Sequence, residues 1–231
     1  MKMEAIVLAG GFGTRLAHIV SDVPKPMAPV CGHPFLEYIL RDLSSKGITR
    51  VILAVGYKAE CIERFFQDRF EGMELIYSLE EKTLFTGGAV KMALSRCRDE
   101  NVFIVNGDTF FDVDLAAMAQ RHQATGAVLT VATKEMEHFS RYGTVQFDDS
   151  GRIIAFREKQ PCQHGAINGG IYLLKRNALD AISQEKFSFE QDYMEAQVDS
   201  VPFFAFPSSG YFIDIGIPED YAKAQEDFQT R

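Results

Sequence analysis

The chain has 231 residues, 46% hydrophobic and 24% charged, a balance that suits a single globular domain with a substantial core. Its net charge of −8 excludes an extended nucleic-acid surface, which needs a basic face. No stretch has signal-peptide pattern or transmembrane length, and cysteines 31, 61, 97 and 162 form no Cys-x-x-Cys pair for zinc or redox work. The expected location is the cytoplasm, with free thiols.

Elements alternate through the first half. Glu4–Ala9 and Val51–Val55 are short aliphatic runs typical of buried parallel strands. Between them Phe35, Leu36, Ile39, Leu40 and Leu43 mark a helix, and Ile62, Phe65, Phe66 and Phe70 mark the next. A strand at Leu75–Ser78, a helix from about Gly87 through Leu94 and a strand at Asn101–Asn106 follow. Repeated βαβ units imply a mainly parallel sheet with helices on both faces. In the second half, strands are expected at Val128–Thr133, Gly143–Phe147, Ile153–Glu158 and Ala166–Leu174. Helices are expected at Ala178–Ile182 and Phe189–Gln197, then strands at Phe203–Phe206 and Tyr211–Ile215, and a last helix opened by Pro218. No linker or repeat interrupts the chain. It reads as one domain, 1–231, with a nucleotide half (1–110) and a mixed-sheet half for a second substrate (111–231).

The first strand runs straight into Gly10-Gly-Phe-Gly-Thr-Arg15, and Pro24-Lys25-Pro26 follows within one loop's reach. Glycines there let backbone N–H groups approach phosphates, and Arg15 and Lys25 add positive charge. A glycine turn alone equally well serves only to bend the chain. No Walker A run occurs, and Leu16 stands where a dinucleotide fingerprint needs its third glycine. Asp108, in Asn106-Gly-Asp108, lies at the end of an apolar strand, where ligands sit in open α/β sheets. It reads as a Mg²⁺ ligand or as a turn cap. Asp214 is an acid inside an aliphatic strand and calls for a nearby cation. Asp112-Val-Asp114 mimics an Asp-x-Asp metal motif, but Asp114 is better read as a helix cap. Glu158-Lys159 and Asn168 could hold a sugar and its phosphate, or be an edge-strand charge pair with a polar neighbour.

Taken together and in order, Gly10–Leu16, Pro24-Lys-Pro26, Thr86-Gly-Gly88, Asn106-Gly-Asp108, Tyr142-Gly143, Glu158-Lys159, Asn168-Gly-Gly170 and Asp214 resemble the sugar-1-phosphate nucleotidyltransferases. Residues 24–30, 32–38 and 187–192 look most like the D-glycero-D-manno-heptose 1-phosphate guanylyltransferases; mannose 1-phosphate guanylyltransferases and uridylyl- or thymidylyltransferases share most of the scaffold. The resemblance implies a Rossmann-like α/β fold and Mg²⁺-dependent transfer from a nucleoside triphosphate, GTP by the narrower likeness, to a sugar 1-phosphate. Leu8, Gly10, Gly11, Gly13, Thr14, Glu80 or Glu81, Gly87 and Gly88 would then contact the nucleotide. Arg15 and Lys25 would hold its triphosphate, and Asp108 and Asp214 the metal. Gly143, Glu158 and Asn168 would contact the sugar, and Lys159 its phosphate. No nucleic acid or membrane partner is implied, and a homodimer is allowed. Two departures stand out: Leu84-Phe-Thr86 where the family often has Leu-Gly-Thr, and Glu158-Lys-Gln160 where it has Glu-Lys-Pro. A glycosyltransferase would not need both Arg15 and Lys25, and a non-catalytic nucleotide-sugar sensor would not need Lys25, Asp108 and Asp214 together.

Overall fold

The computed structural model describes residues 3–11, 22–157 and 159–230. The sequence-predicted residues Gly13, Thr14, Arg15 and Glu158 lie outside them. The first half contains β1 (Met3–Leu8), a short turn of helix at Lys25–Met27, the hairpin β2 (Pro29–Val30) and β3 (His33–Pro34), and α1 (Phe35–Ser45). It continues with β4 (Ile48–Val55), α2 (Ala59–Phe66), β5 (Arg69–Phe70), β6 (Met73–Leu79), α3 (Phe85–Leu94) and β7 (Asn101–Asn106). The second half contains β8 (Thr109–Phe111), α4 (Leu115–Thr125), β9 (Leu129–Phe139), β10 (Thr144–Phe147), β11 (Ile153–Arg157) and β12 (Cys162–Lys175). A π-helical segment at Phe189–Glu195, β13 (Phe203–Pro207), β14 (Phe212–Asp214) and α5 (Pro218–Asp227) follow.

One ten-stranded sheet runs through both halves in the order β11-β10-β12-β7-β1-β4-β6-β5, with β9 also on β12 and β13 on β9. The strands β7, β1, β4 and β6 pair in parallel. From β12 outward the pairing is antiparallel, except for the parallel pair β9–β13. The parallel strands alternate between two cores, as period-2 geometry demands. Ala5 and Val7, Val51 and Leu53, and Phe103 and Val105 pack into the core that holds α1 and α2. Ile6, Ile52 and Ile104 face the opposite core, which holds α3 and the π-helical segment. Both faces are thus covered, which explains why these strands read as continuous apolar runs.

Local signals set the helix ends. Asp114 caps α4, its carboxylate accepting the Ala117 N–H at 2.9 Å, and Gly126 closes that helix at φ +64°. Pro218 occupies the first turn of α5, followed by Glu219 and Asp220 beside the positive end of the helix dipole. Two expectations fail. Residues 178–182 form hydrogen-bonded turns, not a helix, because the run is too short to propagate one. Phe70 belongs to β5, since α2 stops at Gln67 with φ +54°.

A buried histidine gives this fold a pH dependence. His122, 2% exposed, shares hydrogen bonds with Thr130 Oγ1 at 2.8 Å and Asn101 Oδ1 at 3.1 Å. Burial, with the nearby Lys175 charge, lowers its pKa from 6.5 to about 4. Below pH 6.5 the unfolded chain binds a proton that the folded chain refuses, so stability falls with pH until the folded value is reached. The loss between neutrality and pH 5 is expected to be roughly 2 kcal/mol. Urea midpoints at pH 7 and pH 5 should differ accordingly in the wild type, and much less in His122→Gln. An equal drop in both proteins would contradict this.

Candidate active site

The carboxyl ends of the parallel strands open into a cavity of about 1100 Å³, larger than a single small-molecule site usually needs. Four strand ends, those of β1, β4, β6 and β7, meet at its nucleotide side. The Ala9 N–H donates to Ala54 O at 2.8 Å, the Glu80 N–H to Val55 O at 2.8 Å, and the Gly107 N–H to Leu8 O at 2.9 Å. A side chain at Gly107 would put its Cβ 2.5 Å from Leu8 O, so only glycine fits where β7 turns off beside β1. Leu8, Gly10, Gly11 and Glu80 all line this part of the cavity. The Glu80 carboxylate accepts the Leu84 N–H at 3.2 Å. Burial raises its pKa above the usual carboxylate value, against that N–H, which favours the ionised form.

Lys25 sits at the centre. Its Nζ is 2.6 Å from Asp108 Oδ2 and 3.5 Å from Asp214 Oδ1. The two carboxylates come from distant segments joined by a small second sheet, in which β14 pairs antiparallel with β8 and Asp214 stands opposite Thr109. The Ile215 N–H donates to Asp108 O at 3.1 Å and fixes that pairing at the acidic end. The Gly216 N–H donates to Asp214 Oδ1 at 2.7 Å. Burial first, and then the Asp108 charge, push the Asp214 carboxyl above its ordinary pKa; Lys25, the Gly216 N–H and Arg141 pull it down. The balance is upward, because burial penalises the ionised form more than Lys25 and its other partners favour it. The expectation of a cation beside Asp214 is met by Lys25 itself.

Lys159, Gly143 and Asn168 line the same cavity. The Asn168 N–H donates to Gly143 O at 3.1 Å. Its side chain accepts the Gly170 N–H at 3.0 Å and donates to the Tyr172 hydroxyl at 2.9 Å. A register irregularity in β12 between Asn168 and Tyr172 contains Gly170, at φ +73° beside Asn106. This bulge turns β12 toward the cavity.

Gly87 and Gly88 are placed differently from the expectation. A Cβ on Gly87 would lie 2.3 Å from the Phe187 ring, and one on Gly88 would lie 2.2 Å from Glu185 O. Both are buried where α3 packs against residues 185–187, and Phe85, Thr86 and Ala89 of that helix line the cavity instead. These glycines serve close packing.

Sequence reasoning also missed part of the wall. Arg141 reaches the cavity, donating to the Tyr142 hydroxyl at 2.9 Å and pairing with Asp220 of α5. Glu190, on the π-helical segment, accepts from the hydroxyls of Thr86 at 2.7 Å and Ser188 at 3.1 Å. Irregular helical turns of this kind recur at functional sites. Arg141 adjoins Tyr142-Gly143 and Glu190 lies within residues 187–192, so the signal is present in the sequence, but sequence reasoning attaches no role to either side chain.

An α/β fold with a lysine between two carboxylates beside its strand ends, in a cavity that also holds a second lysine and a bulged polar strand, has the layout of a nucleotide-binding enzyme. A family model described as nucleotidyl transferase matches residues 4–231, and the chain belongs to that family. It is 51% identical over 228 residues to the D-glycero-alpha-D-manno-heptose 1-phosphate guanylyltransferase of Aneurinibacillus thermoaerophilus, covering 98% of this chain and 99% of the relative. Identity to the enzyme of the same description from Campylobacter jejuni is 46%, covering 95% and 97%. The crystal structure of HddC from Yersinia pseudotuberculosis complexed with GMP-PN superposes with a TM-score of 0.87 at 34% identity, covering 98% of this chain and 99% of that one. The mainly parallel, Rossmann-like nucleotidyltransferase fold expected from the sequence is the fold observed.

Proposed function

We propose that this protein transfers a guanylyl group from GTP to D-glycero-α-D-manno-heptose 1-phosphate, releasing pyrophosphate and forming a GDP-heptose. The observation that carries the reading is the Lys25–Asp108–Asp214 cluster in one cavity with Lys159, Gly143 and Asn168. Relatives of the same description, alike over nearly their whole length, support the choice of base and sugar. Glu80 suits a guanine. That base offers N1–H and N2–H donors side by side to one carboxylate, whereas uracil and thymine offer one N–H between two carbonyls.

In this reading residues 1–110 hold the triphosphate and residues 111–231 the sugar phosphate, within one domain. Lys25, with Arg15, neutralises the departing pyrophosphate. Lys159 binds the sugar phosphate, whose oxygen attacks the α-phosphorus in line. Gly143, Glu158 and Asn168 orient the sugar. Two anions must be brought together, so positioning and charge neutralisation carry most of the catalysis. A sugar phosphate is largely ionised at neutral pH, and no general base is needed.

The donor set fits Mg²⁺. Asp108 and Asp214 supply hard oxygens, leaving phosphate oxygens to complete the shell. When bound, Mg²⁺ supplies Lewis-acid stabilisation of the phosphate charge. No helix among the described residues is long and apolar enough to cross a membrane. We place the reaction in the cytoplasm, where it would supply a glycosyl donor for surface glycans such as lipopolysaccharide or capsule.

Pyrophosphate release over a matrix of GTP, ATP, UTP and dTTP against heptose, mannose and glucose 1-phosphates tests this directly. GTP with the heptose 1-phosphate is expected to exceed every other pair at least tenfold in kcat/KM, about 1.4 kcal/mol. No release from any pair, or a preference for another base, would sink the assignment.

A further inference from the structure

Phe85 opens α3 with a backbone φ of +59°, in the left-handed region that a bulky side chain rarely adopts. The residue is 54% exposed, so burial of apolar surface does not account for an aromatic residue there. The ring lines the cavity, and the preceding residue, Leu84, donates its N–H to Glu80. Lys186 Nζ lies 4.4 Å from the ring centroid and occupies one of its faces. Tyr57, 37% exposed, lines the same end next to Gly56, whose backbone abuts both Gly10 and Glu80. A strained, exposed aromatic plane therefore stands beside the carboxylate assigned to the base.

Strain of this kind persists at ligand sites, where the bound state uses what the free fold disfavours. A cation on one face of a ring draws π-density toward itself. The opposite face then favours an electron-rich partner, and guanine is such a base. We propose that Phe85 is a base-binding residue that stacks on the purine of the incoming triphosphate, with the Lys186 ammonium on the far face of its ring. This rests on the nucleotide-transfer reading and deepens it. Glu80 reads the edge of the base, Phe85 its face, and the Lys25 cluster takes the phosphates. Aromatic stacking tolerates any base, so Phe85 sets affinity while Glu80 sets the choice of base.

Two variants test this. Phe85→Gly removes the ring and also the strain, so its melting temperature is expected to equal or exceed that of the wild type. Its KM for GTP is expected to rise at least tenfold, with KM for the sugar 1-phosphate within twofold of wild type. The chain contains no tryptophan, so Phe85→Trp carries a single reporter at the site. Its emission is expected to be quenched saturably by GTP and to stay unchanged with inorganic tripolyphosphate. An unchanged KM for GTP in Phe85→Gly, or equal fluorescence responses to GTP and tripolyphosphate, would overturn the inference. Quenching by GTP in a protein that releases no pyrophosphate would instead leave the stacking intact and remove the transferase reading.

Discussion

Asp108→Asn is expected to lower kcat/KM for guanylyl transfer about a hundredfold or more, roughly 2.7 kcal/mol of transition-state stabilisation. Asparagine keeps the shape of the side chain and removes only its charge. The backbone link from Ile215 N–H to Asp108 O does not involve that side chain, so β8 and β14 stay paired. What changes is the charge balance around Lys25, which is left with Asp214 alone at 3.5 Å. Asp112→Asn is the control: its carboxylate reaches Lys46 at 2.8 Å, it is not on the cavity wall, and turnover is expected to stay within twofold. Steady-state kinetics of both variants, with circular dichroism to verify folding, decide the matter. Turnover of Asp108→Asn within threefold of wild type would exclude Asp108 from the chemistry.

Arg50→Met is expected to destabilise the fold by about 3 kcal/mol, or roughly 6–12 °C in melting temperature. Arg50 and Glu4 are 7% and 4% exposed, and their side chains meet at 2.5 Å across β1 and β4. Arg50 also donates to Arg96 O at 2.9 Å and to Glu74 at 3.1 Å. Removing the guanidinium leaves the Glu4 carboxylate buried with only the N–H groups of Arg98 and Asp99, at 2.6 and 2.8 Å. Breaking one side of a buried pair costs far more than the pair itself contributes, because a charge stays behind without its counter-ion. Glu4→Gln should also destabilise, because both Glu4 oxygens accept hydrogen bonds, from Arg50 and from the Arg98 and Asp99 N–H groups, and an amide keeps only one acceptor. Burial pushes the Glu4 carboxyl up, but the Asp99 and Arg98 N–H groups and Arg50 outweigh it, so its pKa lies below 4.5. Its contribution is therefore complete above 4.5 and lost as pH falls through the lower folded value. Denaturant unfolding of Arg50→Met within about 1 kcal/mol of wild type would refute the argument.

The alternation of strands and helices was legible because parallel strands covered on both faces must be apolar throughout, as Ala5–Val7 and Val102–Val105 are. Asp108 was legible for a related reason: a carboxylate at the end of such a strand is conspicuous. Element lengths were less so. β9 and β12 continue well past their apolar stretches as a long antiparallel pair, Cys162 opposite Phe139, and backbone pairing there needs no hydrophobic signal. β8 escaped notice because Thr109–Phe111 is three residues long and acquires its meaning only from β14, about a hundred residues on. The roles of Phe85 and Glu190 depend on residues 185–195 docking against α3, a tertiary event without periodicity. Gly87 and Gly88 carry the same ambiguity: a glycine that admits a ligand and one that admits a neighbouring segment look identical in sequence.

The ladder between β8 and β14 has a consequence for how the protein comes to life during synthesis. The parallel strands β1, β4, β6 and β7 precede residue 107, and with them come Lys25, Glu80 and the strand end that carries Asp108. Asp214 arrives only when a segment made much later pairs with Thr109 in a fixed register, and a slip of one residue would turn its carboxylate to the other side of the ribbon. A chain that ends before residue 214 therefore carries Lys25 and Asp108 without the second acid that the complete chain sets beside them. The two-carboxylate cluster is thus one of the last features the growing chain can assemble, and it appears together with the β8–β14 pairing.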